Sequence, residues 1–402
     1  MDGDVAVEPE VDSFSLVLPL PYRVAIIVVL GIWAWGLNLH YLYLIKIDVP
    51  ALIRYPPRQA QHHHYSTYRL ASFLTIPLVA SLLLFWAVTR GDQRAALRWQ
   101  ILPQSYLLLL VVSFFLPLKR MSRSGRLHFL KSLKRIGVGG LAEVQDGKFG
   151  DILLADVLTS YAKVLGDLFV STCMLLDTKT ASTAKPNRGC GGAYLVPLII
   201  SIPSMIRLRQ CLIEFSRVRR HRSSSSGWGG QHLANALKYF SAFPVIILSA
   251  LQRGYDPTKF HMSEAGLFRL WMFFVFVNSF YSFYWDVAKD WDLSLFSSSR
   301  ERNNPEYPWG LRRHRYFHAK EMYYSAIVLD FLLRCTWSFK LSPHLDHFND
   351  LEGGIFLMEL LEVLRRWMWI FLRVETEWVR NNRGPVTDDI LLGEFAGKID
   401  ED

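Results

Sequence analysis

The chain has 402 residues, of which 51% are hydrophobic and 14% aromatic, with a mean hydropathy of +0.15. Its 45 Lys and Arg against 36 Asp and Glu leave a net charge of +9. In a soluble protein that excess would suggest nucleic acid, but here the basic residues gather between apolar runs, as in cytoplasmic membrane loops. The four cysteines are too few for a disulfide scaffold and lack metal-site spacing. No GxSxG, HExxH or Walker-type loop occurs, so no hydrolytic enzyme, cofactor or metal centre is indicated.

In chain order, the first twenty residues are acidic (Asp2, Asp4, Glu8, Glu10, Asp12), which argues against a cleavable signal peptide. Since roughly 20 mainly apolar residues cross a bilayer, about nine spans are expected, near 23–45, 70–89, 101–118, 151–176, 193–213, 233–252, 265–287, 319–339 and 354–375. The fold class predicted is an all-α polytopic transmembrane helix bundle. His62, His63 and His64 fall in a loop after the first span and read as solvated, because adjacent loop residues cannot all face one metal. The segments 119–135, 214–222 and 300–315 are strongly basic, which places the acidic N-terminus in a lumen and the C-terminus in the cytosol. Within 119–135, Leu127, Phe129, Leu130 and Leu133 fit an amphipathic helix lying on the cytosolic leaflet. Cys173 and Cys190 then share a luminal loop, where a bridge is expected, while Cys211 and Cys335 stay unpaired. "HRSSSSGWGG" at 221–230 is a polar linker, and the tail "TDDILL" has the form of an acidic dileucine sorting signal.

The apolar runs are impure in a patterned way. A charge at mid-bilayer costs on the order of 3 kcal/mol on insertion scales, so repeated charges mark a watery path. Asp156, Lys163 and Asp167 share one span. Arg207 and Arg209 end the next, Lys238 and Tyr239 follow, and Asp286 and Asp290 close another. Asp330 and Arg334 precede the last span, which holds Glu362, Arg365 and Arg366 between leucines and tryptophans. Asp286 with Asp290, Asp330 with Arg334, Glu362 with Arg366 and Lys163 with Asp167 are each four residues apart, one turn along a helix face. Arg209, Lys163, Arg269 and Arg373 lie near span ends, where snorkelling to the interface explains them. Guanidinium forks held by carboxylates suit a small oxyanion such as phosphate.

Seven blocks carry a resemblance: "WGLNLHYL" (35–42), "LADVLTS" (154–160), "MIRLRQCL" (205–212), "NALKYF" (235–240), "YWDVAKDWDL" (284–293), "VLDFLLRCTW" (328–337) and "LEVLRRWMWIFLRVETE" (361–377). In order and over nearly the whole chain, they resemble the EXS family, whose branches are the phosphate exporters and the short ER-retention-defective proteins. That resemblance implies a phosphate path through Asp156, Thr159, Arg207, Lys238, Tyr239, Asp286, Asp290, Arg334, Trp337, Glu362, Arg365 and Arg366. Thr159 stands where exporter relatives place Asn. With about 20 residues before the first span, the chain resembles the short branch, without the regulatory SPX domain of long relatives. The resemblance implies a Golgi protein that returns luminal phosphate from glycosylation to the cytosol and supports recycling of glycosyltransferases.

The expected organisation is an acidic luminal N-terminus (1–20), N-terminal spans with a basic cytosolic segment (21–150), an EXS core (151–383) and a cytosolic tail (384–402). The expected partners are inorganic phosphate, the lipid bilayer and glycosyltransferase-sorting proteins at the cytosolic face, with a homodimer left open and no nucleic acid. The alternative is a sorting or retention adaptor whose charges are structural and whose working parts are the basic loops and tail.

Overall fold

A computed structural model describes residues 11–55, 63–116, 122–177, 181–220, 229–258, 262–336 and 352–382. Among the described residues every regular element is helical. The helices that build the site are α1 (Leu20–Leu44), α2 (His63–Thr89), α3 (Ile101–Phe115), α4 (Arg123–Lys134), α5 (Lys148–Ser160), α6 (Ala162–Leu176), α7 (Leu195–Arg220), α8 (Gly230–Phe240), α9 (Ala242–Arg253), α10 (Glu264–Trp285), α11 (Lys320–Arg334) and α12 (Glu352–Asn382). Among the described residues, six stretches are long and apolar enough to cross a membrane: Leu20–Leu44, His63–Thr89, Gln93–Phe115, Leu195–Arg220, Gly230–Arg253 and Glu264–Asp290. The chain is an all-α, multi-pass membrane protein.

The other three stretches expected to span are less regular. Residues 151–176 are cut at Tyr161 into α5 and α6, and α11 has only 15 residues. The 31-residue α12 alternates apolar and ionic positions along its length. Trp337, His62, most of the 221–230 linker and the DDILL tail lie outside the described residues.

In lipid, apolar contact adds little to helix association, so close packing and polar cross-links must supply it. Helix α1 shows both as it packs on α2, α3, α6 and α12. A Cβ on Gly31 would collide with the Tyr161 hydroxyl, and one on Gly36 would sit 2.8 Å from the Tyr68 ring. Across the α1–α12 seam, Trp367 donates through Nε1 to the Ala34 carbonyl at 3.0 Å, and Asn38 donates to the Trp367 carbonyl at 3.3 Å. Both absent side chains thus admit an aromatic ring against the α1 backbone.

Three helix interruptions surround the charged residues. The α5–α6 break falls at Tyr161 and the α8–α9 break at Ser241, while α10 ends in a π-turn over Asp286–Asp290. Such irregular backbone is tolerated at membrane depth only where protein or a wet cavity satisfies it. At Ser241 the hydroxyl donates to the Lys238 carbonyl at 2.7 Å and meets Asn278 Oδ1 at 2.9 Å.

Several basic loop residues are structural rather than free. In α4, Arg126 is buried and donates to the Ser113 carbonyl, whereas Leu127 is exposed. Just beyond α4, Arg135 grips Asp151 with two nitrogens. Arg209 and Arg217 both donate to carbonyls of the segment between α4 and α5. Part of the positive charge of the basic segments is therefore spent on internal bonds.

Candidate functional site

The two ends of α12 define two faces of the bundle. Near its N-terminus lies the Cys173–Cys190 disulfide, which closes a loop carrying Arg188. Near its C-terminus Arg373, Glu377 and Arg380 line a cavity of about 740 Å³ that reaches inward to Arg207 and Asp290. Loop closure of this size contributes about 3 kcal/mol in the chain-entropy model. Non-reduced peptide mapping is expected to recover Cys173 linked to Cys190, with Cys211 and Cys335 as free thiols. Two free thiols at 173 and 190 would contradict that linkage.

Between the two faces the charges named above converge. Asp156 of α5 accepts from Arg207 Nε of α7 at 2.7 Å and from the Tyr239 hydroxyl of α8. The Arg207 guanidinium also stands 4.8 Å from the Tyr239 ring centroid and donates to Gln210 at 2.7 Å. Lys238, one residue before Tyr239, donates to Asp286 at 2.9 Å and to Asp290 at 3.4 Å, so the π-turn brings both carboxylates onto one ammonium. Arg334 of α11 binds Asp330 at 3.0 Å and Asp286. Arg365 of α12 reaches Asp330 at 3.1 Å, Asp286 at 3.4 Å and Glu362 with two nitrogens at 2.6 and 3.0 Å.

Arg366 is different. Its Nε donates to Ser160 Oγ at 2.9 Å and its Nη2 to Thr159 Oγ1 at 3.2 Å, both neutral hydroxyls at the α5–α6 break. The Trp369 ring lies 4.5 Å beneath the guanidinium and fixes its plane. Among the described residues no carboxylate comes within ion-pair distance of Arg366, and its Nη1 has no hydrogen-bond partner. Yet the residue is buried. The expected Glu362–Arg366 pair is therefore corrected: Glu362 binds Arg365 and accepts from Ser160 at 2.9 Å. The expected Lys163–Asp167 pair is not made either, since Lys163 is exposed and Asp167 lies 3.7 Å from Arg188.

Five cations (Arg207, Lys238, Arg334, Arg365, Arg366) thus face five carboxylates (Asp156, Asp286, Asp290, Asp330, Glu362). The cluster is balanced in number rather than net positive, because Asp330 joins it as a fifth acid. Its imbalance is spatial. Four cations are directly paired with acids and the fifth, Arg366, is held by hydroxyls, so among the described residues the one guanidinium of the cluster without a paired acid lies at the α5–α6 break. The path residues that the structure describes come together; Ser160 and Asp330 join them, and Arg23, Arg188 and Glu352 form a second ionic group at the disulfide face.

The sequence profile of the EXS family matches residues 18–379. The chain belongs to the EXS family. This EXS chain is 30% identical over 313 residues to Protein ERD1 homolog 2 of Schizosaccharomyces pombe, covering 77% of this chain and 76% of that one. Solute carrier family 53 member 1 of Mus musculus is 31% identical over 283 residues, 67% of this EXS chain and 38% of that protein. The Xenotropic and polytropic retrovirus receptor 1 homolog of Xenopus laevis is 31% identical over 275 residues, with 66% and 37% covered. The chain spans well under half of these two longer EXS relatives.

Proposed function

We propose that this EXS protein carries inorganic phosphate across the Golgi membrane, from a lumen at the disulfide face to the cytosol at the cavity face. On this reading it returns phosphate released by glycosylation and so supports glycosyltransferase recycling. The observation that carries the proposal is Arg366, a buried guanidinium held by two hydroxyls within an ionic cluster balanced in number. A tetrahedral oxyanion matches such a fork bidentately. Carboxylates around the remaining cations keep binding weak enough for release, which conduction requires. The cavity supplies an approach to the cluster from one face.

Radiolabelled phosphate flux in liposomes containing only this protein tests the proposal directly. Flux above that of empty liposomes is expected, and its absence would leave the sorting-adaptor reading. Glu362→Gln separates the two further, because it removes the charge holding Arg365 in place. A transporter so altered loses flux, and cells carrying it glycosylate poorly while losing phosphate to the medium. An adaptor would tolerate the change and fail instead when residues after Gly384 are deleted, with glycosyltransferases mislocalised.

A further inference from the structure

Along α12 the residues Glu352, Glu359, Arg366, Arg373 and Arg380 recur every seven positions. Seven residues rise about 10 Å and drift only about 20° around a helix, so these five form one nearly straight ionic stripe. It begins in the second ionic group, passes the Arg366 site and ends in the cavity. At the disulfide face, Glu352 accepts from Arg23 at 2.7 Å and from both terminal nitrogens of Arg188 at 2.5 and 3.1 Å. Glu359, two turns before Arg366, has no such partner. It is 4% exposed, its Oε1 is sealed from solvent without a hydrogen bond, and among the described residues no donor reaches it.

Among the described residues, the charged groups around Glu359 are few. Asp167 and Lys163 face it from α6, Arg188 from the disulfide-closed loop and Arg23 from α1. On its own helix Glu352 and Glu362 flank it. Lys163 is exposed, and both arginines are already engaged by Glu352. Asp167, 7% exposed, has among the described residues one partner, Arg188 at 3.7 Å. Glu359 is therefore a buried carboxyl group without a donor of its own, with the acid Asp167 among the charges nearest it, an arrangement in which a bound proton relieves like-charge repulsion and supplies the missing donor.

We propose that the sealed Glu359 carboxyl, with Asp167 as a neighbouring acid, is a proton-binding site that couples phosphate movement to protons. The inference rests on the phosphate reading and adds to it a second, cationic substrate. Its mechanism is electrostatic: with the proton bound, one negative charge leaves the stretch about 10 Å from Arg366, and a phosphate anion meets less repulsion on its way to that guanidinium.

Phosphate flux into proteoliposomes between pH 5.5 and 8 tests the coupling, comparing Glu359→Gln with the unaltered protein. Phosphate speciation is common to both, so the quotient of their rates isolates the protein's own group. The quotient is expected to change at least fivefold across that range, and a quotient constant within twofold overturns the coupling. Asp167→Asn removes the facing acid and is expected to move the midpoint of the flux profile to lower pH by about one unit. If Glu359→Gln carries no flux, an unmoved midpoint in Asp167→Asn overturns the proposal in its place. Infrared difference spectra give a readout without transport: a protonated carboxyl C=O band that titrates in the unaltered protein and is lost in Glu359→Gln is expected. Absence of that band at every pH removes the proton site. Absence of flux at every pH with the band present removes the phosphate reading and, with it, the coupling, leaving a proton site alone.

Discussion

Arg366→Ala is expected to lower phosphate flux by roughly 100-fold while leaving the protein folded and inserted, since a guanidinium fork offers charge-assisted hydrogen bonds of about 1.5–3 kcal/mol each to a bound anion. The protein should tolerate the loss because Arg366 holds no acid in place; its partners are the hydroxyls of Ser160 and Thr159. Arg366→Lys keeps the charge without the planar fork and should recover only part of the flux. Arg365→Ala behaves differently. Its guanidinium binds Asp286, Asp330 and Glu362 together, and two of those acids are fully buried. Removing it leaves buried carboxylates short of a cation, which costs about 3–5 kcal/mol in stability and obscures any direct effect on transport. Flux per inserted protein, measured beside thermal unfolding, separates the two arginines. Normal flux in Arg366→Ala would remove the anion site from this guanidinium.

Much of this site was legible from the cost of charge in apolar segments, and the reason is physical. A residue such as Asp286 or Arg365 has no apolar excuse for its position, so the sequence alone marks it. Which acid holds which base was less legible. Spacing by four suggested Glu362 with Arg366, but Glu362 turns to Arg365, because Ser160 and Thr159 arrive at the α5–α6 break to take Arg366. The break itself falls at Tyr161, where nothing in the local composition announces an interruption; its hydroxyl is accommodated only because Gly31 of a distant helix lacks a side chain. No spacing in the sequence singles out Arg23 at the start of α1, yet it is buried against Glu352, more than 300 residues away. The stripe on α12 was present in the sequence as a seven-residue repeat. Its opposite charges at the two ends concealed it from a search for local pairs.

Glu375→Ala is expected to be among the most destabilising single changes, at about 3–5 kcal/mol. Glu375 is fully buried one turn below Phe371 on α12, and its carboxylate gathers donors from two other places in the fold. It accepts from Arg312, from the backbone N–H of Tyr316 at 2.5 Å and of Phe317 at 3.3 Å, and from the Tyr323 hydroxyl of α11. Arg312 in turn donates to the Trp291 carbonyl at 2.8 Å and to Thr376 Oγ1 at 2.5 Å. One acid thus ties the segment after the π-turn, the start of α11 and the last third of α12. Truncation leaves Arg312 as a buried cation without its acid, and two backbone donors without an acceptor. Removing both charges together should cost far less, since apolar side chains of similar volume replace a buried pair at little penalty. Arg312→Met with Glu375→Leu is therefore expected to recover, in denaturant unfolding of the purified protein, the part of the loss that comes from the unpaired Arg312 charge, while the Tyr316 and Phe317 N–H groups stay without an acceptor. Because α12 also carries Arg365 and Arg366, the single change should lower flux through displacement of the helix, and the double change should restore part of it. A single variant within about 1 kcal/mol of the unaltered protein would show that Glu375 does not anchor α12, and the position of Arg366 would then need another support.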